Sequence, residues 1–302
     1  MLRRSRKIAL IGVATGWGAL RRETEEGAHK LQSLGLAKNL QNAGIDAYWK
    51  TILMPSQSAK EITFIDPFDA LELINQVNKD LSQVVSKTLK DGEFPVVLGG
   101  DHTVAVGTWG AVTTTLEMVK KFGLLWVDAH MDAHTRETSS SHAFHGMPVA
   151  ALLGYGDLSF MNVVGPGAKI RPEHLTLIGV RSYEKEEQNL LKSLNVRVID
   201  MTSIQQKGFS TSFKSALAQI KTETKGFGVS IDLDAFDPQV APGVGTPAPE
   251  GLFPQDVLSC LQGLGHDPLL KGLEIVELNP SRDYDDKTAH LVQTILMSLF
   301  SH

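Results

Sequence analysis

The chain has 302 residues, of which 42% are hydrophobic and 21% are charged, and both values are ordinary for a globular protein. The formal net charge of −5 and the isoelectric point near 6.1 argue against a nucleic-acid-binding surface, which would need clustered positive charge. A single cysteine, Cys260, excludes an intrachain disulfide, and no apolar run approaches the roughly 18 residues that cross a membrane.

The chain begins with basic residues and a short apolar run, Ile8 to Val13. This pattern superficially resembles a signal peptide, but the run is too short and leads into a polar, glycine-containing loop. We therefore expect a first strand over residues 7–13 and a cytoplasmic protein.

Strand-like and helical segments alternate along the rest of the chain. Apolar residues at three- and four-residue steps predict an amphipathic helix over 68–90. A second helix is expected after Pro254 and a third around Leu291 and Ile295. Cys260 lies in the second helix, where we expect it to be a small buried hydrophobic residue. Further strands are expected at 46–50, 94–98, 123–127, 175–180, 195–200, 227–232 and 273–278.

This alternation favours an α/β fold in which a mainly parallel sheet of about eight strands has helices on both faces, giving three layers. No repeat, low-complexity tract or proline- and serine-rich linker divides the sequence. We expect a single domain over residues 1–302.

Acidic and imidazole side chains follow three of the predicted strands directly. Because residues two apart in an extended chain point to the same face, the side chains within each segment can converge. The carboxyl ends of parallel strands also meet at one edge of a sheet. The candidate metal ligands are His102, Asp128, His130, Asp132, Asp232 and Asp234.

Six ligands are too many for one tetrahedral zinc ion, but they suit two ions that share bridging carboxylates. Oxygen-rich ligation with some imidazole favours Mn²⁺, and these ligand types leave Ni²⁺, Co²⁺ and Fe²⁺ open. Two ions about 3.5–4 Å apart would hold a bridging water and lower its pKa, making hydroxide a nucleophile for hydrolysis. Each segment taken alone has a structural alternative as a turn, a loop pair or a helix cap, but together they would leave several charges without a counter-charge.

The three motifs resemble those of the ureohydrolases, the arginase and agmatinase family of binuclear manganese enzymes, and most closely a bacterial-type arginase. They read Gly-Gly-Asp-His-Thr, Asp-Ala-His-Met-Asp-Ala-His-Thr and Ser-Ile-Asp-Leu-Asp-Ala-Phe-Asp-Pro, with supporting matches from Gly12 to Asn279-Pro280. The resemblance implies two Mn²⁺ ions per subunit. It assigns His102, Asp128, Asp132 and Asp232 to one ion, and Asp128, His130, Asp232 and Asp234 to the other.

The resemblance also implies three catalytic residues. His145 corresponds to the histidine that delivers a proton to the departing amine, Glu277 receives the substrate guanidinium, and Asp132 accepts a proton during attack. The structural alternatives are a solvated loop histidine and an ordinary acid at the end of a strand.

The loop over 134–147 is expected to form a wall of the pocket. By resemblance, the amino-acid end of the substrate meets a further set of side chains, and two positions depart from the arginase pattern. His134 and Ala143 stand where arginases commonly carry asparagine, and alanine cannot donate a hydrogen bond. His142 is expected at the surface or just behind the residues that contact the substrate. The predicted substrate-binding residues are His134, Ser139, Ser141, Glu184, Glu187 and Thr246.

The leading prediction is hydrolysis of L-arginine to L-ornithine and urea by attack of a metal-bridging hydroxide. The open alternatives are agmatine, guanidinobutyrate or another guanidino or amidino substrate, and a metal-binding subunit without turnover. A binuclear phosphoesterase is disfavoured because the chain has no Asn-His pair. The expected partner is a small cationic guanidino compound, with no nucleic acid and no membrane, and the resemblance suggests a homo-oligomer, a trimer or hexamer.

Overall fold

A computed structural model describes residues 6–55, 66 and 69–301 of the chain. Within these residues, eight strands form one parallel sheet in the order β2-β1-β3-β8-β7-β4-β5-β6. The strands are β1 (Ile8–Val13), β2 (Ala47–Leu53), β3 (Phe94–Leu98), β4 (Phe122–Val127), β5 (Leu175–Val180), β6 (Arg197–Asp200), β7 (Gly226–Asp232) and β8 (Leu270–Val276).

Helices cover both faces of the sheet. In chain order the α-helices of the described ranges are α1 (Gly27–Ser33), α2 (Leu36–Asn42), α3 (Leu71–Lys90), α4 (Val104–Thr115), α5 (Pro148–Leu153), α6 (Leu158–Met161), α7 (Lys185–Ser193), α8 (Met201–Lys207), α9 (Phe209–Lys221), α10 (Pro254–Leu261) and α11 (Lys287–Phe300). Short 3₁₀ helices lie at Arg22–Glu26, Phe144–Gly146, Pro172–His174, Leu233–Ala235, Leu264–His266 and Tyr284–Asp286.

Alternate residues of the central strands enter two separate hydrophobic cores. Val96 and Leu98 pack on one face with residues of α1, α2 and α8 to α11, whereas Val97 packs on the other with α3, α4, α5 and α7. Because both faces are buried, these strands have continuous apolar runs rather than an alternating pattern. The predicted three-layer α/β/α fold is confirmed.

Four predicted strand boundaries are wrong by two or three residues. β2 continues to Leu53 rather than ending at 50, and β8 begins at Leu270 rather than at 273. β8 ends at Val276 rather than at 278, because Glu277 has a left-handed backbone with φ 66°. β6 begins at Arg197 rather than at 195, because Asn195 has φ 55°. The predicted start of the first long helix, residue 68, lies outside the described residues, and that helix is described from Leu71.

The chain order brings four strand ends together. The connection from β3 to β4 passes over β8 and β7, so the carboxyl ends of these four central strands are adjacent. That edge is where open α/β sheets usually carry ligand sites. None of the helices in the described ranges has the length and apolar character that a membrane span requires.

Candidate metal centre

The predicted ligand His102 lies at the centre of three carboxylates. Its Nδ1 atom is 3.2 Å from Asp128 Oδ2, 3.0 Å from Asp132 Oδ2 and 3.2 Å from Asp232 Oδ2. Two glycines after β3, Gly99 and Gly100, turn the chain with φ near 80° and bring the histidine over the sheet edge.

A second group lies directly beside the first. His130 Nδ1 is 3.1 Å from Asp234 Oδ2 and 3.6 Å from Asp128 Oδ1. Asp128 therefore presents one carboxylate oxygen to each histidine, as a bridging ligand would. Potential ligand atoms lie within 4.8 Å of one another in each of two groups, His102 with Asp128 and Asp132, and Asp128 with His130 and Asp234.

Burial and mutual repulsion shift the pKa values of these groups. Burial and the charge of Asp128 raise the pKa of Asp132 to about 6. Burial, Asp234 and Asp128 raise the pKa of Asp232 well above its usual range. Burial lowers the pKa of His102, but its contacts with Asp128, Asp132 and Asp232 outweigh this and raise it. Such crowding of carboxylates is relieved when a cation lies between them.

A second observation also indicates that these residues fit a divalent cation. His102 Nδ1 is buried and has no hydrogen-bond partner, although the three carboxylate oxygens are near it. A buried polar atom without a partner, surrounded by acceptors, is the arrangement expected of a ligand atom. The donor set of imidazole nitrogen and carboxylate oxygen can therefore hold a metal ion.

Trp126 and Ser230 support the ligands but were not among the predicted site residues. Trp126 Nε1 donates to Asp128 Oδ2 at 2.8 Å, and its ring stacks on that of His102 with centroids 4.0 Å apart. Ser230 Oγ lies 3.0 Å from His102 Nε2. Each precedes a predicted ligand by two positions in a strand, so the two-residue period carried a signal for both.

His145 and Glu277 are in contact at the edge of the ligand cluster. Glu277 Oε1 accepts from the backbone N–H of His102 at 3.0 Å and lies 3.1 Å from His145 Nδ1, while its buried Oε2 has no partner. Burial lowers the pKa of His145, but Glu277 outweighs it and raises the pKa to about 9. The contact with Glu277 therefore favours a protonated His145 imidazole close to the candidate metal ligands.

The pocket above the ligands brings together all six predicted substrate-binding residues. Its walls also include Ala143, His145 and the additional serine Ser140, an exposed loop residue with no distinguishing sequence signal. Glu277 is not among the lining side chains and lies behind His145. The predicted residues that line the pocket are His134, Ser139, Ser141, Glu184, Glu187 and Thr246.

The mouth of the pocket carries a histidine and two glutamates. His134 Nε2 is 2.7 Å from Glu184 Oε2 and 3.4 Å from Glu187 Oε2. Glu187 accepts the backbone N–H groups of Ala133 and Glu184, and the two glutamates form a capping box at the start of α7. Burial raises the pKa of Glu187 to about 7, and the hydrogen bond with His134 lowers that of Glu184.

Comparisons with known proteins show which family the chain resembles. The model of the arginase family matches residues 6–301. An arginase from Bacillus caldovelox is 33% identical over 297 residues, which covers 97% of each chain, and one from Brevibacillus brevis is 32% identical over 296 residues, covering 98% of each. The crystal structure of an arginase from Bacillus cereus superposes with a TM-score of 0.89 at 30% identity, covering 99% of both chains.

The family match spans almost the entire chain, and the sheet edge carries histidine and aspartate groups able to hold metal ions. The solved relatives share the fold over the same extent. The chain belongs to the arginase family and is an arginase-type ureohydrolase.

Proposed function

We propose that this protein hydrolyses L-arginine to L-ornithine and urea with two Mn²⁺ ions. The observation that carries the proposal is the position of the His145–Glu277 pair beside two adjoining ligand groups that share Asp128. The relatives named as arginases support L-arginine as the substrate.

His102, Asp128, Asp132 and Asp232 would hold one ion, and Asp128, His130, Asp232 and Asp234 the other. Four carboxylates with two imidazoles form a hard, oxygen-rich donor set, which favours Mn²⁺. When bound, the two ions supply Lewis-acid chemistry that lowers the pKa of water and stabilises negative charge as it develops.

The reaction adds water to the guanidino carbon and breaks its bond to Nε of L-arginine, the nitrogen that becomes the δ-amine of L-ornithine. The family resemblance assigns the guanidinium to Glu277, because a carboxylate accepts paired hydrogen bonds from that planar cation. The Oε2 atom of Glu277 is buried and without a partner, so this contact would require the carboxylate to reach the pocket from behind His145, and Thr246 of the pocket wall would support it. Asp132 would take a proton from the attacking water at a carboxylate oxygen. His145, held protonated by Glu277, would deliver a proton to the departing δ-amine.

The amino-acid end of L-arginine would lie at the pocket mouth. Glu184 and Glu187 would face the α-ammonium group, and the Ser139 and Ser141 hydroxyls would face the α-carboxylate. His134 joins the wall next to Glu184 and can reach either group.

A second substrate class is favoured by one observation at this mouth. Ala143 lines the wall without a side-chain donor, and the Nε2 atom of His134 is already engaged with Glu184. The pocket mouth therefore offers fewer side-chain donors to an α-carboxylate than acceptors to a cation. Agmatine, which has an amine and no carboxylate, is the alternative substrate that this observation favours, and guanidinobutyrate and other guanidino compounds stay open for the same mechanism.

The test is urea release from L-arginine, agmatine, guanidinobutyrate and guanidine by metal-stripped protein reloaded with Mn²⁺. A clear preference for L-arginine, with equimolar L-ornithine, would support the proposal. Preference for another guanidine would retain the mechanism and reject the substrate. Failure to release urea from all four, with the metal sites filled, would favour a subunit without turnover and reject the proposed activity.

We also propose that the protein works as a homo-oligomer, a trimer or hexamer, in the cytoplasm. Family membership supports this proposal. Light scattering at working concentration would reject the proposal if it gave the mass of one chain.

A further inference from the structure

Glu274 is a fully buried acid in β8. Burial raises its pKa, and the charge of His102 and hydrogen bonds from neighbouring side chains oppose that rise in part. Its Oε1 atom accepts from Ser230 Oγ at 2.8 Å and from Trp109 Nε1 at 3.2 Å. Its Oε2 atom is buried with no hydrogen-bond partner. Because an incompletely paired carboxylate is costly in a protein interior, its presence in the middle of the sheet needs an explanation.

The surrounding backbone makes room for this contact. A Cβ atom at Gly228 would meet Trp109 Cζ3 at 2.1 Å, so only glycine at that position of β7 admits the indole ring. The ring in turn directs its Nε1–H to Glu274. Glu274 is thus held from two elements, α4 through Trp109 and β7 through Ser230.

Glu274 is connected to a metal-ligand candidate through one hydroxyl group. Ser230 donates its hydrogen to Glu274, so its Oγ can only accept from His102 Nε2–H at 3.0 Å. With the proton at Nε2, neutral His102 has its lone pair at Nδ1, the atom that faces Asp128, Asp132 and Asp232. The order of donors therefore selects the tautomer that a metal ligand requires.

We propose that Glu274 is a positioning residue for the cation held at His102, acting through Ser230 to fix the histidine tautomer and to place a negative charge behind the ring. This inference rests on the proposed role of His102 as a ligand. The carboxylate–serine–histidine series makes the imidazole a stronger electron donor, as partners of metal-binding histidines do. Burial raises the pKa of Glu274, and a cation on the far side of the ring would favour its ionised form.

The decisive variant is Glu274→Gln, which keeps an oxygen acceptor for Ser230 and Trp109 but removes the charge. Mn²⁺ binding to the stripped protein would be followed by electron paramagnetic resonance and by metal content after dialysis. The expected result is a roughly 10- to 100-fold weaker affinity for one of the two ions, with the other nearly unchanged. Thermal unfolding of the metal-free variant should begin no lower than that of the parent, while the rise caused by Mn²⁺ becomes smaller.

Thr176→Val is the matched control. Thr176 is a buried residue of β5 whose hydroxyl has no partner, so the change also removes a buried sheet oxygen but breaks no connection to His102. Its two Mn²⁺ affinities should equal those of the parent.

Unchanged affinity for both ions in Glu274→Gln would overturn the inference. An equal loss of affinity for both ions, together with lower stability of the metal-free protein, would also overturn the inference. That result would indicate that Glu274 has a merely structural role. If Glu274→Gln does not fold, Ser230→Ala provides the test. It breaks the same connection to His102 and should lower the affinity for the same one of the two ions. Two ions bound with parental affinity in His102→Ala would instead reject the ligand assignment on which the inference rests.

Discussion

The contact between His145 and Glu277 determines where a proton is held in the pocket. The imidazole lines the pocket wall, and the carboxylate behind it also accepts the backbone N–H of His102. One side chain thus ties the proton donor to the loop that carries a metal-ligand candidate. The proton chemistry and the metal chemistry share this fixed geometry.

Replacement of His145 by alanine should separate these two functions. We expect His145→Ala to retain both ions, because no ligand candidate is removed, and to lose about 10²-fold or more in kcat, the usual contribution of a positioned acid. Metal content and steady-state urea release measure the two effects. His290→Ala, a change at an exposed position of α11, is the control and should match the parent. Loss of metal together with activity in His145→Ala would contradict the assignment.

The same contact predicts a pH dependence of stability. Glu277 raises the pKa of His145 from its ordinary 6.5 to about 9 in the folded protein, so folding favours the protonated form. The contribution, at most about 3 kcal/mol, should be complete below pH 6.5 and disappear as the pH rises through 9. Urea unfolding of metal-free parent and His145→Gln across this range measures it. A stability difference that grows above pH 9 would contradict the prediction.

Sequence spacing predicted that the ligand candidates would lie together at the sheet edge, because each lies within a few residues of a strand end. It could not identify Glu274, which reads as one polar residue in an apolar strand. The role of Glu274 depends on its contacts with Ser230 in β7 and Trp109 in α4, which are 44 and 165 residues away in sequence. Long-range contacts of this kind leave no local periodicity.

At the scale of elements, α4 has no amphipathic pattern. Residues Val104 to Thr113 are all buried, and the helix packs between the sheet and α3. Because the helix is apolar on every side and contains several β-branched residues, its sequence resembles a loop or strand as much as a helix. The strands were easier to predict because their short apolar runs end at glycine or polar residues.

The close packing of α9 on β4 gives a test of the fold. A Cβ atom at Gly123 would meet the backbone oxygen of Ile220 at 2.0 Å, and backbone cannot move aside as a flexible side chain can. We expect Gly123→Ala to lower the free energy of unfolding by about 1–3 kcal/mol, as overpacking does. Urea unfolding of Gly123→Ala and of the exposed Lys38→Ala, which should change little, makes the comparison. A fully stable Gly123→Ala would mean that α9 lies farther from the sheet.

At the scale of the whole molecule, we propose that the chain is one domain. The eight described strands share one sheet, and helices from both ends of the chain cover it. The family match over residues 6–301 supports the same view. The ligand candidates come from three strand ends, so cation binding and folding of the sheet should be coupled.

If the chain is a single domain whose folding is coupled to ion binding, it should unfold in one transition, and Mn²⁺ should raise the temperature of that transition. At a free concentration 100 times the dissociation constant, one site should add about 2.7 kcal/mol of stability. Calorimetry with and without Mn²⁺ measures both properties. Two separated transitions in the metal-free protein would contradict the single domain, and an unmoved transition would contradict coupling to the ions.

The most direct test of the two-ion hydrolytic centre is a titration of metal-stripped protein with Mn²⁺, in which urea release from L-arginine is followed against equivalents added. We expect activity to rise until two ions are bound per chain and then to level off. Asp128→Ala removes the carboxylate shared by both groups, so it should bind little metal and stay inactive. Full activity at one ion per chain, or two tightly bound ions and normal turnover in Asp128→Ala, would contradict the two-ion centre.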